Sequence, residues 1–356
     1  MEPNGAKGAR MSEPKFWNSK THPATLALRP LSGVYALAEG AKRFFIKPQH
    51  PGKPVVCVGN LTAGGAGKTP TVDFLAQHFA AQGLSPAILS RGYGGQLSTT
   101  SGPAVRVDRD VHTASQVGDE PLMMAADWPV YISPDRFASL RAALAQGADI
   151  AIKDDGFQNP SMQHHFNLLV IDGAGGLGNG YMLPSGPLRQ PLAVGLSKAD
   201  ALLILGPPSH ASLSPLIAQC ASQKVAVFYG HIIGHKPKLA AGEKAFAYCG
   251  IAKPEKFLAS LEASGVALVG HRAFGDHHVF SEADADDLLQ QGATLITTQK
   301  DMARLSGAPI GSKLHALAEQ SEVLKIHLDI ENADALMRLL DETVKARQAN
   351  QSYTSY

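Results

Sequence analysis

The run GNLTAGGAGKTP at residues 59–70 limits the fold more than any other stretch of the chain. It follows the β-branched run VVCVGN (55–60) and leads into TPTVDFLAQHFAAQG, whose apolar residues recur at helical spacing and stop at Gly83. A strand, a glycine-rich turn and a helix N-terminus bring backbone N–H groups and the positive end of a helix dipole onto phosphate oxygens. The phosphate-loop pattern G-x-x-x-x-G-K-[ST] ends correctly at Gly67, Lys68 and Thr69, but Thr62 stands where its first glycine belongs. Thr62, Ala63, Gly64, Gly65, Ala66 and Gly67 are therefore expected to cradle nucleotide phosphates. Lys68 is expected to neutralise the β and γ phosphates, and the Thr69 hydroxyl to coordinate Mg²⁺. A purely structural turn is the alternative, and the Gly-Lys-Thr triplet in its strand-to-helix setting favours the nucleotide.

The rest of the chain has a matching rhythm. At 356 residues it is about twice the usual domain length, and 44% apolar against 18% charged residues is globular composition. Strands are expected at 86–92, 129–133, 149–155, 167–172 and 201–205, with helical patterns between several of them, which predicts a parallel α/β sheet. After GPPSHASLSP (206–215), a new series runs from VAVFYGHIIG to the helix ADALMRLLDETVKARQ and reads as a smaller α/β domain. The division falls near residue 220, giving domains over 14–220 and 221–348, with the first ~13 and last ~8 residues as loose tails.

Several classes are disfavoured. A net charge of +1 argues against a nucleic-acid binder, which needs a basic excess to neutralise phosphates. Cys57, Cys220 and Cys249 are far apart and signal neither a disulfide framework nor a thiolate zinc site, so a reducing cytosol is the simplest compartment. No run approaches ~18 consecutive apolar residues, and MEPNGAKGAR lacks the apolar centre of a secretory signal. No feature requires an obligatory protein partner. Residues 15–53 lean basic, and an amphipathic helix over 31–46, opened by Pro30, has two readings: a helix packed on its own domain or one lying in an anionic membrane interface.

Four other stretches carry candidate chemistry. DIAIKDDGFQ ends a strand with Asp154 and Asp155, placed as a metal-holding pair, although Asp-Gly is also a turn pair. In GDEP (118–121), Asp119 is either a helix N-cap before Pro121 or a catalytic acid, with Glu120 beside it. GDHHVF (275–280) has adjacent histidines, a poor spacing for zinc; His277 is either a loop residue or one that tunes a base across a cleft. Arg189 in NGYMLPSGPLRQP (179–191) either forks onto an anionic substrate or is solvated.

Taken in order, GNLTAGGAGKTP, SRGYGG, VGDEPLMMA, DDGFQN, GNGYMLPSGPLRQP, GIAKPEKF, FGDHHVF and TTQKDMARL closely resemble the tetraacyldisaccharide 4′-kinase family, the lipid A 4′-kinases of Gram-negative bacteria. The resemblance covers roughly 16–340, and a serine or threonine at the position of Thr62 is usual in it. It implies a P-loop-containing parallel α/β/α sandwich and a second, smaller α/β domain joined by a two-stranded linker, for which VAVFYGHI and VLKIHLDI are the candidates. It implies transfer of the γ-phosphate of ATP, with Mg²⁺, to the 4′-hydroxyl of a tetraacyldisaccharide 1-phosphate at the cytoplasmic face of the inner membrane, and so the membrane reading of the basic helix. By the same resemblance Asp154 and Asp155 are the metal pair, with Glu120 as a further metal candidate. Asp119 is the catalytic base, His277 its partner, and Arg91, Arg136 and Arg189 lie near phosphates or the lipid head group.

The chain departs from the family at Gln190 and Gln299, where glutamate is usual, and at Lys153 and the His164–His165 pair. None of these is a residue assigned to the chemistry. Two rival functions are a GTPase switch, suggested by SKAD (197–200), and another small-molecule kinase on the same fold.

Overall fold

Strands β1 (Val55–Gly59), β2 (Pro86–Ser90), β5 (Ile150–Asp154) and β7 (Ala201–Leu205) are buried at every residue, as expected of apolar runs in a sheet covered on both faces. The computed structural model describes residues 14–99, 102–239 and 243–352. With β3 (Val105–Arg106), β4 (Val130–Ile132), β6 (Phe166–Asp172), β8 (Ala226–Gly234) and β13 (Ile326–Ile330), these strands form a nine-stranded sheet in the order β13-β8-β7-β6-β1-β5-β2-β4-β3. It is parallel except at its two edge strands, β3 and β13. A smaller, all-parallel sheet has the order β10-β9-β11-β12, from β9 (Ala245–Cys249), β10 (Leu268–Ala273), β11 (Thr294–Thr298) and β12 (Ser321–Leu324).

The site is placed by β1. It lies between β5 and β6, and the chain leaves it over β5 to reach β2, so the loops at its carboxyl end open at a topological switch point. The register sets Val58 opposite Asp154, which brings the end of β5 beside the loop that follows β1.

Three expectations change. The run VLKIHLDI is not one strand: it splits at Lys325, with β12 edging the small sheet and β13 pairing antiparallel with β8. β8 and β13 thus make the two-stranded connection, and β8 begins parallel to β7. The helix Ala333–Ser352 does not complete the small unit; Leu336, Met337, Leu340 and Val344 pack into the large core with Phe79, Phe166 and Leu168. That face of the large sheet would otherwise expose an apolar surface. Part of the expected C-terminal tail is therefore helical to Ser352, while the expected N-terminal tail lies outside the described residues.

The basic helix runs over Pro23–Phe45, with His22 as its cap and Pro30 inside it. Its start is hidden in sequence because the cap is an imidazole, which accepts from the Ala24 N–H, and not one of the usual Ser, Thr, Asp or Asn. Thr25 is its one buried residue, while Leu37 and Phe44 are 76% and 84% exposed. The helix rests on the body by polar bonds: Ser32 Oγ donates to the Met182 carbonyl and Ser185 Oγ to the Thr25 carbonyl. The reading in which its apolar face packs on its own domain is therefore set aside.

Candidate active site

The phosphate loop is held from three sides. Asn60 Nδ2 donates to the Gly64 carbonyl at 3.2 Å, Gln158 Nε2 to the Asn60 carbonyl at 2.7 Å, and the Ala63 N–H to the Pro187 carbonyl at 2.8 Å. Thr62 forms an isolated bridge with Leu188, so the residue replacing the usual glycine pairs locally with the 179–191 loop. Gly67 precedes the helix Lys68–Ala81 at φ 84°, and a Cβ there would run into Leu205. Gly64 and Gly65 are exposed, Ala66 and Thr69 are buried, and Lys68 is half-buried with Nζ 3.7 Å from Asp155 Oδ1.

Asp154 and Asp155 differ in environment. Asp155 accepts from Arg189 at 2.7 and 2.9 Å; burial works to raise its carboxyl, but Lys68 and Arg189 outweigh it and hold it low. Asp154 is buried, and its Oδ1 has no hydrogen-bond partner. Burial and the nearby Glu120 carboxylate push it up to about 7, against the pull of Lys68. A buried carboxylate oxygen left unmatched beside a phosphate loop is suited to a hard divalent cation. Among the described residues no three His, Cys, Asp or Glu side chains converge on one ion position.

The second half of the site crosses between the two units. Gly118, at φ 93°, precedes the short helix Asp119–Met124, so Asp119 is its first residue and not its cap. His277, in the left-handed region at φ 57°, places Nδ1 2.8 Å from Asp119 Oδ2, and its N–H donates to the Gly250 carbonyl. Arg304 donates to the same Asp119 oxygen from Nη2 at 2.6 Å and from Nε at 3.2 Å. Burial alone would raise the Asp119 carboxyl, but the His277 hydrogen bond and the Arg304 guanidinium hold it well below the usual carboxylate range. Next to it, Lys300 donates to Glu120 at 2.5 Å. The Glu120 carboxyl is lowered chiefly by Lys300, and it is near enough to Lys68 and Asp154 to interact with both.

The three arginines separate. Arg136 is buried, donates to the Ser90 and Ser133 carbonyls, is pushed down to about 10 by burial, and braces the ends of β2 and β4 within electrostatic reach of Asp154 and Asp155. Arg189 holds Asp155, and Arg91 is exposed on the loop after β2.

The departures from the family have structural partners. Gln190 is fully buried and accepts from Arg43 of the N-terminal helix at 2.5 Å. The fully buried Lys153 has Nζ 3.2 Å from His164 Nε2, so two departures meet each other; burial takes Lys153 down to about 8. Gln299 Oε1 accepts from the Ile326 N–H. In SKAD, Asp200 is ion-paired with Arg347 and accepts the Asn167 N–H, which gives it a structural task in place of reading a guanine.

Sequence reading missed Lys300, Asp301 and Arg304, and also Asp172, whose carboxylate joins the units by accepting from Lys253 and Lys256, each at 2.8 Å. The TTQKDMARL run carries the family resemblance, but nothing in its local pattern assigns a role to Lys300, Asp301 or Arg304.

A family model described as tetraacyldisaccharide-1-P 4′-kinase matches residues 24–345. The chain is 46% identical over 303 residues to the tetraacyldisaccharide 4′-kinase of Bradyrhizobium sp., covering 83% of this chain and 86% of that relative. With the enzyme of the same name from Parvibaculum lavamentivorans it is 42% identical over 344 residues, covering 94% and 98%. Among solved structures, an "apo" form of LpxK from Aquifex aeolicus in complex with ATP aligns with a TM-score of 0.70 at 24% identity, over 90% of this chain and 99% of that one, which shows the shared fold. With the phosphate loop, the cross-unit acid–histidine pair and these matches together, the chain belongs to the tetraacyldisaccharide-1-phosphate 4′-kinase family.

Proposed function

We propose that this chain transfers the γ-phosphate of ATP to the 4′-hydroxyl of tetraacyldisaccharide 1-phosphate in lipid A biosynthesis. The observation that carries the reading is the hydrogen-bonded Asp119–His277 pair, contributed by two units, next to the Lys68–Asp154 cluster of a phosphate loop. The loop N–H groups and Lys68 hold the β and γ phosphates and stabilise the charge that develops on them. Thr69 and Asp154, with Asp155 behind them, would hold Mg²⁺, which neutralises phosphate charge when bound. Glu120 borders the same space with its carboxylate engaged by Lys300.

A sugar hydroxyl is a weak nucleophile, so the Asp119–His277 pair takes its proton as the new O–P bond forms and ADP leaves. Arg91 and Arg189 supply positive charge for the anionic substrate.

The acceptor is a lipid, and the N-terminal helix supports peripheral binding at the cytoplasmic face of a Gram-negative inner membrane. Leu31, Val34, Leu37, Phe44 and Phe45 are exposed beside Lys42 and Lys47. No helix among the described residues is long and apolar enough to cross a membrane.

Incubation with γ-labelled ATP, Mg²⁺ and the tetraacyldisaccharide 1-phosphate in detergent micelles tests the reading. Label in the lipid at the 4′ position is expected. Its absence from lipid overturns the assignment, and efficient transfer to a soluble acceptor would point to another kinase on this fold.

A further inference from the structure

Resting on that reading, we propose that Arg304 is a positioning residue for phosphoryl transfer: it locks the Asp119 carboxylate and the turn under His277 into one arrangement, so that the pair keeps the geometry and tautomer that proton removal needs. Asp119 Oδ2 already receives His277 Nδ1 and two Arg304 N–H groups, and Oδ1 accepts the Glu120 N–H at 3.1 Å. A carboxylate has roughly four lone-pair sites, so little of this one is left for a substrate. Exposure points the same way: the Asp119 side chain is 8% exposed and that of His277 31%. A carboxylate only accepts, so Nδ1 carries the proton toward Asp119 and Nε2 keeps the lone pair; Arg304 Nη2 lies 3.4 Å from the same Nδ1. The nearest charged neighbour of Nε2 is Asp276 Oδ2, at 3.6 Å.

Arg304 also fixes where the imidazole sits. Its Nη1 donates to the Gly250 carbonyl at 2.5 Å, the carbonyl that accepts the His277 backbone N–H. The same Nη1 donates to Asp301 Oδ1 at 2.6 Å, and the fully buried Asp301 also accepts the Gly250 N–H and the Thr298 hydroxyl. One planar guanidinium therefore ties Asp119, the turn under His277 and a buried counter-charge into one unit, which a lysine cannot reproduce. In the reaction, Nε2 takes the 4′-hydroxyl proton as that oxygen bonds to the γ-phosphorus. The bond from phosphorus to the β,γ-bridging oxygen breaks, and its electron pair leaves with ADP. Asp119, with Asp276 nearby, stabilises the imidazolium. The other charges around the pair are Arg304, Glu120 and Lys300.

The test is a double-mutant cycle in the micelle assay, with thermal unfolding and ¹⁵N-histidine NMR of each protein. Arg304→Met is expected to lower kcat by ~10²-fold with KM for ATP within about twofold. Arg304→Lys should recover less than about a tenth of that loss, because the fork geometry is gone. In an Asp119→Ala background, removing Arg304 should cost no more than about threefold. NMR should show His277 protonated at Nδ1 in the unaltered chain, and Arg304→Lys, which retains the charge if Arg304→Met does not fold, should mix the tautomers. An equal loss of kcat in both backgrounds, or an unchanged His277 spectrum, overturns the proposal and leaves Arg304 a structural contact. A chain that phosphorylates no lipid but keeps the Arg304-dependent tautomer retains the positioning role and rejects the acceptor assignment.

Discussion

Consecutive residues, Thr62 to Thr69, build the phosphate side of the site from backbone N–H groups, glycine turns and one lysine. The acceptor side draws Asp119, His277, Asp301 and Arg304 from two units and is held by ion pairs between side chains. The loop of the first region is braced by Asn60, Gln158 and Pro187 of the large unit, whereas the second region needs the helix Gln299–Leu305 to lie against the helix Asp119–Met124. On the proposed mechanism, nucleotide binding and proton removal are therefore separable, with contact between the units governing the second.

The largest effect should come from the phosphate side. Lys68→Met is expected to lower kcat/KM by ~10³-fold or more and to weaken nucleotide binding as well, measured by steady-state kinetics and calorimetry. A loss in kcat alone would blur the distinction between the two regions. On the acceptor side, Asp119→Ala should slow turnover by ~10²-fold or more. Smaller again, Phe44→Ser with Phe45→Ser should weaken binding to anionic vesicles by ~10-fold while micelle turnover changes little. Co-sedimentation unaffected by the substitutions would remove the helix from the interface.

The smallest effect concerns Asp154. Its carboxyl is raised above the ordinary unfolded value, so its favourable contribution is complete below about pH 4 and is lost as pH rises through about 7. Asp154→Asn should therefore raise the melting temperature of the metal-free protein by a few degrees at pH 8 and change it little at pH 4. Mg²⁺ affinity of the unaltered chain should climb about tenfold per pH unit below 7 and level off above it, because the acid must lose its proton to ligate. A pH-independent affinity would place the metal elsewhere.

The same contrast explains what the amino-acid sequence discloses. The phosphate loop is legible because its parts are contiguous and its strand and helix are set by local pattern. Asp119 and His277 are ambiguous residue by residue, an N-cap candidate and a loop histidine, and the family resemblance is what joins them. Arg304 gives no local signal, since its carboxylate partner lies 185 positions away in the chain. The Lys153–His164 contact is invisible for the same reason: each residue alone is an oddity, and β5 with the turn before β6 brings them together. The helix Ala333–Ser352 misleads because amphipathic spacing says that one face is buried without saying against which sheet.

Calorimetric titration of ATP with Mg²⁺ into Asp119→Ala, paired with its single-turnover rate, tests the separation of the two regions most directly. The account predicts a dissociation constant within about twofold of the unaltered chain alongside a rate ~10²-fold lower. Nucleotide affinity falling in proportion to the rate would contradict it, and would place Asp119 among the groups that hold the phosphates and their metal.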